Sequence, residues 1–343
     1  MGRPTLVSLA KELGVSRQTV SNVINAPHLV KSETRERVQE AIERSGYRPN
    51  QAAQALRNQR SRTVAMRVYP TLDEGINGAV MDRFVHRFAQ ALRDRGYALL
   101  LVTADSDEDE VDTLHEMSIR GRIDGCLLTG TYAGDPRPAQ LAAEGAKLVA
   151  FGRPWGQEET STHDWVDIDG AAGTRMATQH LLDAGYRRIG FLGWPEGSGV
   201  GDDRRRGWAE TLGAAGVDGF EAWQATGMDT MATGLSGMET LLGLGAEAVV
   251  CAADSLAVGA VEHLRRSGLM TRPTAPVIGF DNTPVARAMG ISSIDQDVER
   301  AVQALTDRLM LRVGDGSDDL PPLNQLLAPR LVTRELSSIF VTH

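Results

Sequence analysis

A chain of 343 residues, 42% of them hydrophobic, is too long for one ordinary domain and has apolar residues for more than one core. A net charge of −9 excludes a protein that coats nucleic acid along its whole length, yet residues 1–60 hold 10 Lys and Arg against 5 Asp and Glu, leaving 26 against 40 for the rest. Only the basic head is suited to meet phosphate. No apolar stretch is long enough to span a bilayer and the N-terminus lacks the apolar core of a signal peptide, so a cytoplasmic protein is expected. Cys126 and Cys251, each inside an apolar run, read as reduced core thiols.

Thr5 is placed to cap a first helix from Leu6 to Leu13, with Leu6, Leu9, Ala10 and Leu13 on one face. After Gly14-Val15 a second helix is capped by Ser16 and runs to Asn25, and Val15 and Val20 have the spacing of a hydrophobic staple. Val20, Val23 and Ile24 form its apolar stripe, which leaves Arg17, Gln18, Ser21 and Asn22 pointing elsewhere. Arg suits guanine O6 and N7, and Gln or Asn suits adenine N6 and N7. A third helix is expected over 32–45, with Val38, Ala41 and Ile42 inward and Gly46 as its stop. Helix, short glycine turn and second capped helix make a helix-turn-helix, whose second helix enters a major groove. Residues 50–58 are helix-prone but too short to be stable alone.

The runs Thr5–Ser16, Thr19–Asn25, Thr34–Val38 and Gly46–Asn50 resemble the N-terminal domain of the LacI/GalR family of transcriptional repressors. The resemblance implies base reading by Arg17, Gln18 and Asn22 and phosphate contacts from Thr5, Ser16 and Ser21. Arg is frequent in the family where this chain has Asn22, so the operator is expected to differ there. Lys31 stands where a capping Ser or Thr is usual, and Ser32 is expected to take over that role. The resemblance makes 50–58 a hinge helix that pairs with its dimer mate and inserts Leu56 into the minor groove, with small Ala53 one turn before it.

After Arg62 the pattern changes to strand and helix in alternation. Apolar runs at 64–69, 98–102, 125–128 and 147–151 are separated by amphipathic stretches at about 79–95, 106–120 and 136–144. The alternation restarts with strands at 189–192, 246–251 and 276–280 and helices near 170–185, 203–216, 232–244 and 255–267. Continuous apolar strands indicate parallel sheets covered on both faces, and ligands of such sheets bind beyond the strands' carboxyl ends. Tyr69, Arg153 and Trp155, Trp194, Asp254 and Asp281 all follow strands.

This body resembles the effector domain of the same family, which is similar to periplasmic sugar-binding proteins, through Phe151–Pro154, Val166–Asp169, His180–Gly193, Arg204–Trp208, Ala252–Asp254, Gly279–Asp281 and Val332–Glu335. The architecture expected is thus multidomain: an all-α helix-turn-helix head with hinge in 1–61, then a two-lobed α/β effector domain in 62–343. Its N-lobe is set at about 62–161 plus 291–320 and its C-lobe at about 162–290 plus 321–343. Read alone, Arg204 is one solvated charge of the run Asp202–Arg206, and Asp281 is an Asx-turn residue. The resemblance instead puts both in an effector pocket, where an arginine fork and a carboxylate suit a polyol. Aromatic residues frequent in the family are missing from 77–81 and 227–234, and Ala253 replaces a frequent asparagine. Trp155, Trp194 and Tyr69 are the candidates to supply the stacking face, with Arg153 beside them.

Nothing points to catalysis. Gly197–Gly201 lacks the spacing of a dinucleotide loop and reads as a flexible loop, the seven histidines lack metal-ligand spacing, and neither a Gly-x-Ser-x-Gly elbow nor a Cys-x-x-Cys occurs. No cofactor and no metal are expected. The resemblance implies a homodimeric regulator that binds a pseudo-palindromic double-stranded DNA operator, acts as a repressor, and is controlled by a sugar or oligosaccharide. The alternative, a solute-binding module of a sugar transport system, calls for a signal peptide and no basic head.

Overall fold

The computed structural model describes residues 4–47, 60–69, 78–269, 275–314 and 320–334. The expected hinge, with Ala53 and Leu56, lies outside them. The chain divides into two compact units, Met1–Ser61 and Arg62–His343.

The head holds α1 (Leu6–Leu13), α2 (Arg17–Asn25) and α3 (Ser32–Ser45). Thr5 and Ser8 form a capping box, Ser8 N donating to Thr5 Oγ1 at 3.1 Å and Thr5 N to Ser8 Oγ at 2.8 Å. Gly14 and Gly46 end α1 and α3 at φ of 66° and 65°, a left-handed conformation that costs glycine nothing. Leu9, Ala10, Val20, Val23, Val38, Ala41 and Tyr47 make one small core. Ser32 does not cap α3. Lys31 occupies the N-cap without a side-chain bond, because the helix begins at Ser32 as expected and Ser32 is itself the first helical residue, one place past the cap.

In chain order the body runs β1 (Thr63–Arg67), α4 (Ala79–Asp94), β2 (Ala98–Val102), α5 (Asp107–Ile119), β3 (Gly125–Leu128), α6 (Arg137–Ala143), β4 (Leu148–Phe151), β5 (Asp164–Ile168) and α7 (Gly170–Asp183). There follow β6 (Ile189–Gly193), α8 (Gly199–Ala214), β7 (Gln224–Thr226), α9 (Met231–Gly243), β8 (Ala248–Cys251), α10 (Asp254–Arg266) and β9 (Val277–Phe280). The body closes with α11 (Pro284–Ala288), β10 (Ser292–Asp295), α12 (Val298–Arg312), β11 (Asn324–Leu327) and β12 (Arg330–Val332). One sheet has the order β11-β5-β4-β3-β1-β2 and is parallel throughout, and the other runs β12-β10-β9-β8-β6-β7 with only β12 antiparallel.

The chain therefore passes between the sheets after β5, after β10 and after β11. This corrects the lobe boundaries: β5 and β11 belong to the first sheet, not the C-lobe, and β10 belongs to the second, not the N-lobe. These strands are short and carry Asp164, Asp167, Ser292, Ser293 and Asn324, so no continuous apolar run marked them. Their buried polar side chains are satisfied across the crossovers, as where Asp164 accepts from Arg308 Nε at 2.9 Å and Arg312 Nε at 2.6 Å.

Helices of the second lobe pack backbone to backbone. A Cβ on Gly259 would lie 2.1 Å from Met231 O, and one on Gly207 2.1 Å from Ala171 O, so only glycine permits the α9–α10 and α7–α8 contacts. The reading of 197–201 as a flexible loop is also corrected. Ser198 caps α8, its Oγ accepting from Gly201 N at 3.2 Å, and Gly199 and Gly201 are small because Trp155 and Trp194 lie against them. Cys126 and Cys251 are buried free thiols, and among the described residues no helix is long and apolar enough to cross a membrane.

Candidate DNA-reading helix and ligand cleft

On α2 the Ser16 Oγ accepts from Thr19 N at 3.0 Å and shares a 2.8 Å bond with Thr19 Oγ1. Arg17 and Gln18 are exposed and Asn22 is half-buried, with Gln18 Nε2 donating to Asn22 Oδ1 at 2.8 Å. The three side chains expected to read bases thus lie on one helix, two of them joined by a hydrogen bond. Thr5 and Ser16 begin α1 and α2, and Ser21 is half-buried on α2. Arg44 reaches Glu12 at 2.8 Å and Arg37 Nη2 donates to Leu13 O at 3.2 Å, tying α3 to α1.

In the body, the carboxyl ends of both sheets enclose a cavity of about 160 Å³. The first lobe contributes Gly130, Thr131, Phe151, Gly152 and Trp155, and the second Val200, Asp203, Arg204 and Phe280, with Asp167 and Gln296 from the crossovers. Arg204 is 6% exposed. Its guanidinium lies 3.8 Å above the Phe280 ring and 5.3 Å from that of Trp194, and its Nη1 donates to Ala252 O and stands 3.8 Å from Asp281 Oδ1. Its buried Nε has no acceptor among the described residues.

Asp281 sits at φ 108° and Asn282 at φ 49°, strained positions for side chains other than glycine. The surrounding bonds enforce them. Asp254 Oδ2 accepts from Thr283 N at 2.7 Å and its Oδ1 from Ser293 Oγ at 2.6 Å, while Asn282 N donates to Ser293 Oγ at 2.9 Å. Asp281 Oδ1 accepts from Gln296 Nε2. Burial pushes the Asp281 carboxyl up to about 7, Arg204 opposing and Asp254 and Asp229 reinforcing the shift. Asp229 is also raised by burial, with its bond from Ser255 Oγ opposing. Between apolar walls at Phe151, Phe280, Trp155 and Val200, the Arg204 guanidinium can donate to hydroxyls and the carboxyl oxygens beside it can accept from them.

Of the expected effector residues, the structure brings Arg204 and Asp281 together and lines the cavity with Arg204 and Trp155. Arg153 is a strut instead. Its Nε donates to Asp167 Oδ2 at 2.7 Å and its Nη2 to Ile168 O at 3.0 Å and Asp203 Oδ2 at 3.2 Å, and its guanidinium covers one face of Trp155 at 4.4 Å. Trp194 backs Arg204 outside the cavity lining, and Tyr69 stands beside Gly130 at its edge. Asp167, Asp203 and Gln296 escaped the sequence reading. Only Asp203, next to Arg204, carried a usable signal.

Comparison with known proteins follows the same division. Residues 5–50 match the family described as bacterial regulatory proteins, lacI family, and residues 68–310 match periplasmic binding proteins and sugar binding domain of LacI family. The chain is 33% identical over 337 residues to the HTH-type transcriptional regulator CelR of Thermobifida fusca, covering 97% of this chain and 98% of CelR. It is 33% identical over 287 residues to the regulator GalS of Salmonella typhimurium, covering 82% of each. A solved CelR–cellobiose complex superposes with a TM-score of 0.70 at 32% identity, covering 98% of this chain and all of that one. The lac repressor dimer bound to operator and the anti-inducer ONPF shares the fold, with a TM-score of 0.81 at 23% identity over 98% of this chain and 99% of that one.

Proposed function

The chain belongs to the LacI family of bacterial regulatory proteins, helix-turn-helix transcription regulators, and from that premise we propose that a sugar or oligosaccharide in its cleft sets its affinity for DNA. The observation that carries this reading is that Arg204, which lines a cavity walled by both lobes, meets Asp281 at 3.8 Å. A ligand held from both sides favours the closed body, and its effect on DNA equals its differential affinity for the two states.

The protein acts in the cytoplasm as a homodimer on a pseudo-palindromic operator, and its output is repression. The β2 edge supports the dimer: Leu100 and Leu101, 37% and 46% exposed on the outermost strand of the first sheet, leave apolar surface on both faces of that edge for a second copy to cover. Arg17, Gln18 and Asn22 read base edges, and Thr5, Ser16 and Ser21 meet phosphates. Residues 50–58 form the hinge that sets Ala53 and Leu56 in the minor groove when paired.

Selection of binding sites from a random DNA pool, with and without a panel of sugars, tests the whole reading. The expected result is a site with two-fold symmetry whose recovery changes with one sugar. Sites without symmetry would refute the dimer, and recovery indifferent to every sugar would refute the effector.

A further inference from the structure

We infer that the rim of the first lobe carries a second sugar-ring subsite built on Tyr69 and Tyr132, so that the effector has at least two rings. This rests on the sugar reading above and narrows it. Tyr69 and Tyr132 are 39% and 41% exposed, the two exposed aromatic side chains among the described residues. Exposed tyrosines are ordinarily free to swing, and these are not. Tyr69 Oη donates to Thr129 O at 3.2 Å and accepts from Arg137 Nη1 at 2.7 Å, while Tyr132 Oη donates to Asp107 Oδ2 at 2.6 Å. The Arg67 guanidinium covers one face of Tyr69 at 4.4 Å.

The clamp behind them is expensive. Arg137 and Glu110 are both fully buried and paired at 2.8 Å, with Arg137 to Asp135 at 2.7 Å and Arg67 to Glu110 at 3.2 Å. Buried ion clusters seldom stabilise a fold more than apolar packing of the same volume would, so a cluster ending on two exposed rings is better explained by what it positions. Aromatic faces held rigid at a binding edge stack on the apolar faces of sugars at little entropic cost.

Position completes the argument. Gly130 and Thr131 line the Arg204 cavity, Tyr132 follows them directly, and a Cβ at Gly130 would lie 3.4 Å from the Tyr69 ring. Thr131 Oγ1 donates to Arg153 O at 2.9 Å and fixes this loop against the β4 end. The cavity, about 160 Å³, is well under the roughly 300 Å³ at which pockets for drug-sized ligands begin. A ligand of more than one ring would extend beyond it, and Tyr69 and Tyr132 stand at the first-lobe edge it would reach.

Calorimetric titration of the full chain with glucose, galactose and xylose, and with cellobiose, lactose and xylobiose, provides the test. One disaccharide is expected to bind about tenfold or more tighter than the matching monosaccharide, a margin of the size aromatic stacking supplies. Tyr132→Ala should abolish that margin while the monosaccharide still binds, and Tyr132→Phe, which keeps the ring, should retain more of it than Tyr132→Ala. A monosaccharide bound as tightly as its disaccharide, or a margin untouched by Tyr132→Ala, would overturn the subsite and leave the sugar reading standing. Binding of no sugar in the panel would overturn the sugar reading and the subsite with it.

Discussion

On α2 of the head, Arg17 and Gln18 stand in solvent, Gln18 bonded to Asn22 one turn on, whereas in the cleft Arg204 and Asp203 are buried, Asp281 is half-buried, and most of their polar atoms are already engaged. The head places its chemistry with local rules: a cap, a glycine turn and a stripe of three apolar residues. The cleft places its chemistry with long-range ones. Asp281 is held by Gln296, its loop by Asp254 and Ser293, and Arg204 by Ala252, segments tens of residues apart. A surface reader tolerates substitution of its own side chains without loss of fold, and an enclosed pocket does not.

The largest way to break this contrast is to disturb the close helix contacts beneath the pocket. Gly259→Val would drive its side chain into Met231 O and should destabilise the body by about 3 kcal/mol or more, as overpacking against fixed backbone does. Urea unfolding followed by tryptophan fluorescence reads this cleanly, because all five tryptophans lie in the body. An unchanged midpoint would mean that the helices separate freely.

Arg204→Met keeps the stem over Phe280 and removes the fork. Loss of charged hydrogen bonds worth about 1.5–3 kcal/mol should weaken sugar binding about 10- to 150-fold, measured by titration calorimetry. Retained affinity would show that the ligand lies elsewhere.

The strained carboxylate gives a third test. With its pKa raised to about 7, Asp281 keeps a proton in the folded state that the unfolded chain has already released above about 4, so stability is present at acid pH and lost as pH rises through 7. Asp254, raised by burial to about 6, acts in the same direction. Between the unfolded value near 4 and the folded value of each group, each such proton contributes a slope of up to about 1.4 kcal/mol per pH unit. Asp281→Asn should flatten the pH dependence of the urea midpoint by one such contribution. A slope identical to that of the unaltered chain would show that Asp281 titrates in its ordinary range.

The same contrast decides what was legible in the sequence. The caps at Thr5 and Ser16, the stop at Gly46 and the apolar stripe of α2 could be read because each depends on residues within one or two turns. The strands β2, β3 and β6 announced themselves as apolar runs. The crossover strands β5, β10 and β11 did not, since their polar side chains are neutralised by partners such as Arg308, Arg312 and Asp254 that only the fold brings near. Arg153 looked like a ligand contact because it follows a strand, yet Asp167 and Asp203, which consume its donors, lie 14 and 50 residues on. Glycines 199 and 201 read as part of a flexible loop because sequence does not show the indoles packed on them.

The smallest expected effect sharpens the comparison most. Gln18 and Asn22 form a pair one helical turn apart on an exposed face, and such pairs stabilise a helix by about 0.2–0.5 kcal/mol. Asn22→Ala should therefore leave the melting of the head nearly unchanged by circular dichroism. It also releases the Gln18 amide from its internal bond. If α2 reads base edges, the variant's preferred site, selected from random DNA, should change at the same position in both half-sites while affinity for nonspecific DNA holds. If the preferred site is unchanged, the pair serves only the helix, and the reading surface reduces to Arg17 and the phosphate contacts around it.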